Sequence, residues 1–123
     1  MAFRAAFIGL NKHSDPGILE LAGATRDAAA LHALFTDTFN DIRAALLLDE
    51  TATLDAIRAA LDDALGQATE DDVVVLSFAG HGTPGHQIVA YDTDRDLPSD
   101  TTLPMEELAA RFQASKARAV LCI

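Results

Sequence analysis

Cysteine is all but missing from this chain: Cys122 is the only one in 123 residues. A single thiol cannot close an internal disulfide, so no disulfide framework exists and a reducing compartment is expected. Positive charge is scarce too. Nine Lys and Arg face nineteen Asp and Glu, a formal net charge of −10, which argues against a nucleic-acid backbone or an anionic membrane surface as partner. No hydrophobic run approaches the length of a membrane span. The opening Met1-Ala2-Phe3-Arg4 lacks the apolar core and cleavage site of a signal peptide. Internal repeats, linkers and low-complexity segments are absent as well. What remains is an acidic globular protein, expected to be cytoplasmic. Its Ala-rich composition, with lysine confined to Lys12 and Lys116, points to a bacterial source.

Half of the residues are hydrophobic and 23% are charged, as in ordinary globular domains. A chain of this size is one domain or most of one, and it buries roughly two-thirds of its extended surface. Residues Val73 to Phe78 form a short run in which only Ser77 is not apolar, which predicts a central strand buried on both faces. Phe3 to Leu10 predicts a first strand, and Asn11 to Gly17, with Asn, Ser, Asp, Pro and Gly, a loop. Ala28, Leu31, Phe35 and Phe39 recur at helical intervals and predict a helix over Ala24 to Phe39. Ile42 to Leu48 follows as a strand. Thr53 is placed to cap a second helix striped by Leu54, Ile57, Leu61 and Leu65, with Gly66 ending it. After the central strand come a short strand over Gln87 to Tyr91 and an aperiodic acidic loop over Asp92 to Thr102. A helix is expected to open with Pro104 in its first turn, burying Leu108 and Phe112, and Ala119 to Ile123 is a last strand. The order β-α-β-α-β-β-α-β predicts an α/β domain, a mostly parallel sheet with helices on both faces. A strand at the very end, with no cap or polar tail after it, suggests a domain that is incomplete at its C-terminus.

The central strand breaks into Gly80-His81-Gly82. In open α/β sheets chemistry sits just past the carboxyl ends of the strands, so His81 stands where a general base would be needed. A histidine merely hydrogen-bonded at a tight turn is the plainer reading, and spacing alone leaves both open. The flanking glycines leave backbone N–H groups open to a substrate oxygen.

Ser77-Phe78-Ala79-Gly80-His81-Gly82 resembles the strand-end histidine motif of the caspase-like cysteine peptidases, which include caspases, metacaspases and bacterial relatives. Leu21-Ala22-Gly23-Ala24-Thr25-Arg26-Asp27-Ala28 resembles the metacaspase segment that opens the first helix, and Phe7-Ile8-Gly9-Leu10-Asn11 the first strand. Ala119-Val120-Leu121-Cys122-Ile123 is similar to the strand that leads into the nucleophile. The resemblance runs in order along nearly the whole chain. It implies a caspase-like three-layer sandwich, with residues 1–123 as the N-terminal, large-subunit part of the peptidase domain. It also implies His81 as catalytic histidine, Gly82 as an oxyanion-hole N–H donor, and Asp27 as the acid lining the pocket for the side chain before the cut. Asp27 read without the resemblance is a helix-dipole partner.

Caspases select aspartate with an arginine two residues before the matching Gly; here that place is Leu21, which cannot clamp a carboxylate. A buried Asp27 would attract a basic side chain. A protein or peptide substrate with Arg or Lys before the cut is therefore expected. Cys122 lies inside an apolar strand and is expected to be a buried, inert thiol with a raised pKa. In the family the nucleophile follows this strand, so it is expected beyond Ile123, with the remaining C-terminal part of the peptidase as partner and with this chain inactive alone. The alternative is a noncatalytic caspase-like module that binds or regulates another protein. A nucleotide-binding α/β domain is a third reading, but Asn11-Lys12-His13-Ser14 replaces any Gly-rich phosphate loop. No cofactor is expected. Asp92, Asp94, Asp96 and Asp100 with Glu106-Glu107 offer oxygen ligands, and some metacaspases bind calcium in a comparable region, but the spacing fits no EF-hand and a solvated acidic loop is the plainer reading. His13 and His86 show no partner in the sequence.

Overall fold

A computed structural model describes residues 2–123. Its main sheet holds four parallel strands in the order β2-β1-β3-β6: Ile42–Leu48, Phe3–Gly9, Val73–Ala79 and Ala119–Cys122. Alternation along the inner strands divides the core between the two faces. Ala5, Phe7 and Val75 point to the face covered by α1 (Ala24–Thr38), where Leu31 and Phe35 meet them. Ala6, Ile8, Val74 and Leu76 point the other way, toward Ile57 and Leu61 of α2 (Leu54–Leu61) and Leu108 and Phe112 of α4 (Met105–Ala114). Helices thus cover both faces, as the apolar pattern implies. The layers come close where side chains are absent: a methyl group on Gly9 would meet the Ala24 carbonyl at 2.5 Å and Ala28 Cβ at 2.7 Å.

Thr53 caps α2, accepting the Ala56 N–H at 3.2 Å. The helix does not simply stop at Gly66. It widens into a π-turn over Asp62–Gly66 that carries Ala64 and Leu65 into the core.

The acidic loop holds more structure than its composition suggests. Pro98–Thr101 forms a one-turn helix, α3, and Thr102–Pro104 forms β5, which pairs antiparallel with β4 (Gln87–Val89) in a separate two-stranded sheet. Thr102 and Leu103 are buried there. Pro104 precedes the first turn of α4 as its cap residue instead of lying within it. β6 lies at the sheet edge, so Cys122 is exposed rather than buried as the apolar run suggested, although contact with its neighbours still raises the thiol pKa.

Candidate active site

His81 follows two residues after β3, at the carboxyl end of the parallel sheet. The backbone around it is stitched to β4: Val89 N–H donates to His81 O at 3.1 Å and Thr83 N–H to Gln87 O at 2.9 Å, with Gly82 opposite Ile88. In this pattern Gly82 lies between the two bonds, and its own N–H meets no acceptor among the described residues. A methyl group on Gly82 would touch only Gln87 O, at an ordinary 3.6 Å, and its φ is not positive. Neither packing nor backbone conformation requires glycine there.

The half-buried His81 ring is not directed into the hydrophobic core; it lines an open cleft of about 430 Å³ with Gly82, Thr83 and Arg95. Its Nε2 lies 2.7 Å from the Leu19 carbonyl oxygen. A carbonyl only accepts, so Nε2 carries the N–H and Nδ1 keeps the free lone pair. The imidazole is thereby held in the tautomer and orientation that a general base requires.

Leu19 belongs to a strap, residues 11–21, of which the sequence predicts only Asn11 to Gly17 as a loop. Asn11 and Lys12 N–H donate to Asp49 Oδ1 at 2.9 and 3.0 Å, from the end of β2, where Asp49 adopts a left-handed φ of 45°. Ser14 N–H donates to Tyr91 O at 2.9 Å, and Leu21 N–H to Asn11 O at 2.9 Å. Asn11 Oδ1 accepts from Ala24 N–H at 2.8 Å and Thr25 N–H at 3.3 Å. It caps α1 from a distance, in the place of the cap that Gly23 cannot supply.

The strap also brings His13 against His81, with ring centroids 5.6 Å apart. Both His13 ring nitrogens are buried and meet no hydrogen-bond partner among the described residues. Burial first, then His81, lowers the His13 pKa, against the opposing pull of Asp49 and Asp15. Nothing in the sequence pairs residues 13 and 81; only the fold does.

Asp27 stands in the first turn of α1 and lines a second depression, about 440 Å³, with Ala30, Ser77, Ala79 and Ile123. It is exposed, not the buried acid from which a basic substrate is argued, because at the start of α1 Ala24 and Ala28 take the inward face. Arg26 makes no ion pair with it among the described residues. The ladder between β3 and β6 runs on through Ile123, whose N–H donates to Leu76 O at 2.8 Å and whose carbonyl accepts from Phe78 N–H at 3.1 Å. His81, Asp27 and Ile123 therefore gather at one end of the sheet. Cys122 does not join them: it pairs with Leu76 in register and lines an apolar groove with Ile57, Leu61 and Phe112, on the α2 and α4 side.

The acidic loop is occupied with backbone work. Asp92 Oδ1 accepts Leu54 N–H at 2.8 Å at the start of α2, and Asp94 Oδ1 accepts Asp96 N–H at 2.9 Å. No three His, Cys, Asp or Glu among the described residues converge as metal ligands would. No helix among them is long and apolar enough to cross a membrane.

The fold has solved counterparts. Protein GSU0716 from Geobacter sulfurreducens, known from a crystal structure, superposes with a TM-score of 0.77 at 20% sequence identity; the match covers 99% of this chain and 50% of that one. The chain thus spans about half the length of that protein. No curated protein matches it. The caspase-domain profile of the C14 peptidases matches residues 3–121, from the first strand to the last. The chain belongs to the caspase-domain family of cysteine peptidases.

Proposed function

We propose that this chain carries the histidine side of a cysteine endopeptidase site, with the nucleophilic thiolate supplied by residues outside these 123. The observation that carries the reading is the His81 geometry: Nε2–H held by the Leu19 carbonyl, Nδ1 free, and an unclaimed Gly82 N–H next to it. In the proposed reaction His81 Nδ1 takes the thiol proton, and the thiolate attacks the scissile carbonyl carbon. Gly82 N–H donates to the developing oxyanion. The imidazolium then protonates the departing amine, and water releases the acyl group. The parallel ladder of β6 on β3 supports delivery of a cysteine to this point from the carboxyl end of β6, and its exposed Leu121 and Ile123 support further chain packing on that edge. Cys122 is assigned no role: its thiol lies in a different groove, and its raised pKa opposes thiolate formation.

For the residue before the cut we propose Arg or Lys, taken by Asp27 in its depression on the α1 side. An unpaired carboxylate at the rim and Leu21 in place of a guanidinium support this choice. The test compares the full-length natural protein with its His81→Ala and Asp27→Asn variants on Arg- and Lys-containing peptides. His81→Ala is expected to lower kcat by about 10²- to 10⁴-fold, and Asp27→Asn to raise KM for basic peptides. Equal activity of wild type and His81→Ala rules the reading out. The position of the only cysteine, apart from His81, favours one rival, a noncatalytic caspase-like module. That rival gains if the full-length protein takes no label from a peptidyl chloromethyl ketone with Arg at its reactive end.

A further inference from the structure

The cleft beside His81 is electrically unlike the rest of the molecule. In a chain of net charge −10 its walls hold no carboxylate and one permanent cation, Arg95. No carboxylate among the described residues lies within ion-pair distance of that guanidinium. Asp15 accepts Gly17 N–H at 2.8 Å and Arg95 N–H at 2.9 Å, and attracts the Arg95 side chain from beyond ion-pair distance. With Asp92, Asp94 and Asp96 it lines an adjoining depression that meets the cleft at Thr93. The guanidinium is also placed. It lies over Gly17, where an added methyl group would collide with its Cζ and Nε.

We propose that Arg95 is a specificity residue for an acidic side chain, Asp or Glu, on the leaving side of the cut. The inference rests on the endopeptidase reading in one respect: if Asp27 takes the residue before the cut, the Arg95 cleft, across His81 and sharing no wall residue with the Asp27 depression, receives the chain after it. A planar guanidinium matches a carboxylate with two parallel N–H donors. The preferred substrate then carries opposite charges around the scissile bond, basic before it and acidic after it, so that each charge is drawn to its own depression and repelled by the other.

The leaving-side product can be tested on the full-length natural protein without turnover, because a product is not cleaved again. A labelled peptide that begins with Glu, its C-terminus amidated, is compared by fluorescence anisotropy with the same peptide beginning with Gln, and with a Gln peptide whose C-terminus is a free carboxylate. The Glu peptide is expected to bind about fivefold tighter than the amidated Gln peptide, an advantage that shrinks with added salt. Arg95→Gln should abolish the difference. Gly17→Ala should do so as well: no glycine here has a positive φ, so alanine fits the backbone, and the added methyl displaces the guanidinium. Asp27→Asn should leave it intact. Equal binding of the Glu and amidated Gln peptides to the wild type overturns the proposal, as does a difference that survives both variants. If the free-carboxylate Gln peptide binds as tightly as the Glu peptide, Arg95 reads a chain terminus, and a side-chain specificity is overturned. Failure of the full-length protein to cleave basic peptides sinks the peptidase reading separately, because this binding comparison does not use the thiolate.

Discussion

The two ends of the parallel sheet treat polar groups in opposite ways. At the amino end the buried charge is engaged, while Glu70, Asp71 and Lys116 beside it stand in an open depression. Asp72, buried before β3, accepts Thr69 N–H at 2.8 Å and pairs with Arg4 at 3.4 Å, while Arg4 reaches the Asp63 carbonyl at 3.3 Å. The Thr69 amide above all, then Thr69 Oγ1 and Arg4, holds the Asp72 carboxyl below the usual carboxylate range. At the carboxyl end the corresponding groups are left over: the Nδ1 of His81, the Gly82 N–H, the His13 ring, and the side chains of Asp27 and Arg95. Buried polar groups are as a rule hydrogen-bonded, and of these only the His13 ring nitrogens are buried without a partner; Gly82, Asp27 and Arg95 face solvent. They lie at the end of an α/β sheet where ligands bind in other such folds.

Gly82→Ala separates the two ends most sharply. The added methyl meets only an ordinary contact inside the chain, so melting temperature should stay within about 2 °C or rise slightly as the unfolded chain loses freedom. On the proposed reading, activity of the full-length protein on a basic peptide should nevertheless fall by roughly 10- to 100-fold, because the methyl lies beside the N–H proposed for the oxyanion. A loss of stability matching the loss of activity would place Gly82 among the structural residues instead.

The clamp between the two helices on the other face provides the converse. Glu107 of α4 takes two N–H bonds from Arg58 of α2, at 2.8 and 3.0 Å, and neighbours Arg111, which also reaches Asp62. Arg58 first, then Arg111, lowers the Glu107 carboxyl pKa. Glu107→Gln should cost about 1 kcal/mol in denaturant unfolding at pH 7 and leave the peptide contacts of the carboxyl end unchanged. A carboxyl lowered on folding contributes stability that is present above its unfolded value, here 4.5, and lost as pH falls through the folded one. Wild type and variant should therefore converge in acid. A gap that persists at pH 2.5 would assign the effect to packing.

The elements with repeated apolar signals were legible in the sequence: β1, β2 and β3 as short hydrophobic runs, α1 and α2 as stripes, and His81 as a polar residue at a strand tip. β5 was hidden, because Thr102–Pro104 is too short to show alternation and its partner lies more than ten residues away. The strap was hidden for a different reason. Its working atom beside His81 is the Leu19 carbonyl, which every residue type possesses, so no side chain announces it. Asn11 and Asp49 are ordinary loop residues until the fold brings one to the head of α1 and the other under the strap amides. Asp27 lines a depression at the carboxyl end of the sheet but is exposed there, whereas the pocket role that the resemblance implies is argued for a buried acid.

His13 offers the smallest effect and the finest test of the contrast between the ends. Its burial beside His81 lowers its pKa from 6.5, so the unfolded chain takes up the proton before the folded one does. Stability should be complete above the unfolded value and decline as pH falls from 6.5 toward the lowered folded value. A rise of stability in that window would contradict a neutral, buried ring. Replacing the ring by one that cannot titrate, His13→Phe, should remove the decline, a difference on the order of one or two degrees in melting temperature between pH 7 and pH 5.5. The comparison keeps His32, His81 and His86 in both proteins. If the decline survives the substitution, the polar surplus at the carboxyl end does not include His13, and the count of groups left for a substrate narrows to His81, Gly82, Asp27 and Arg95.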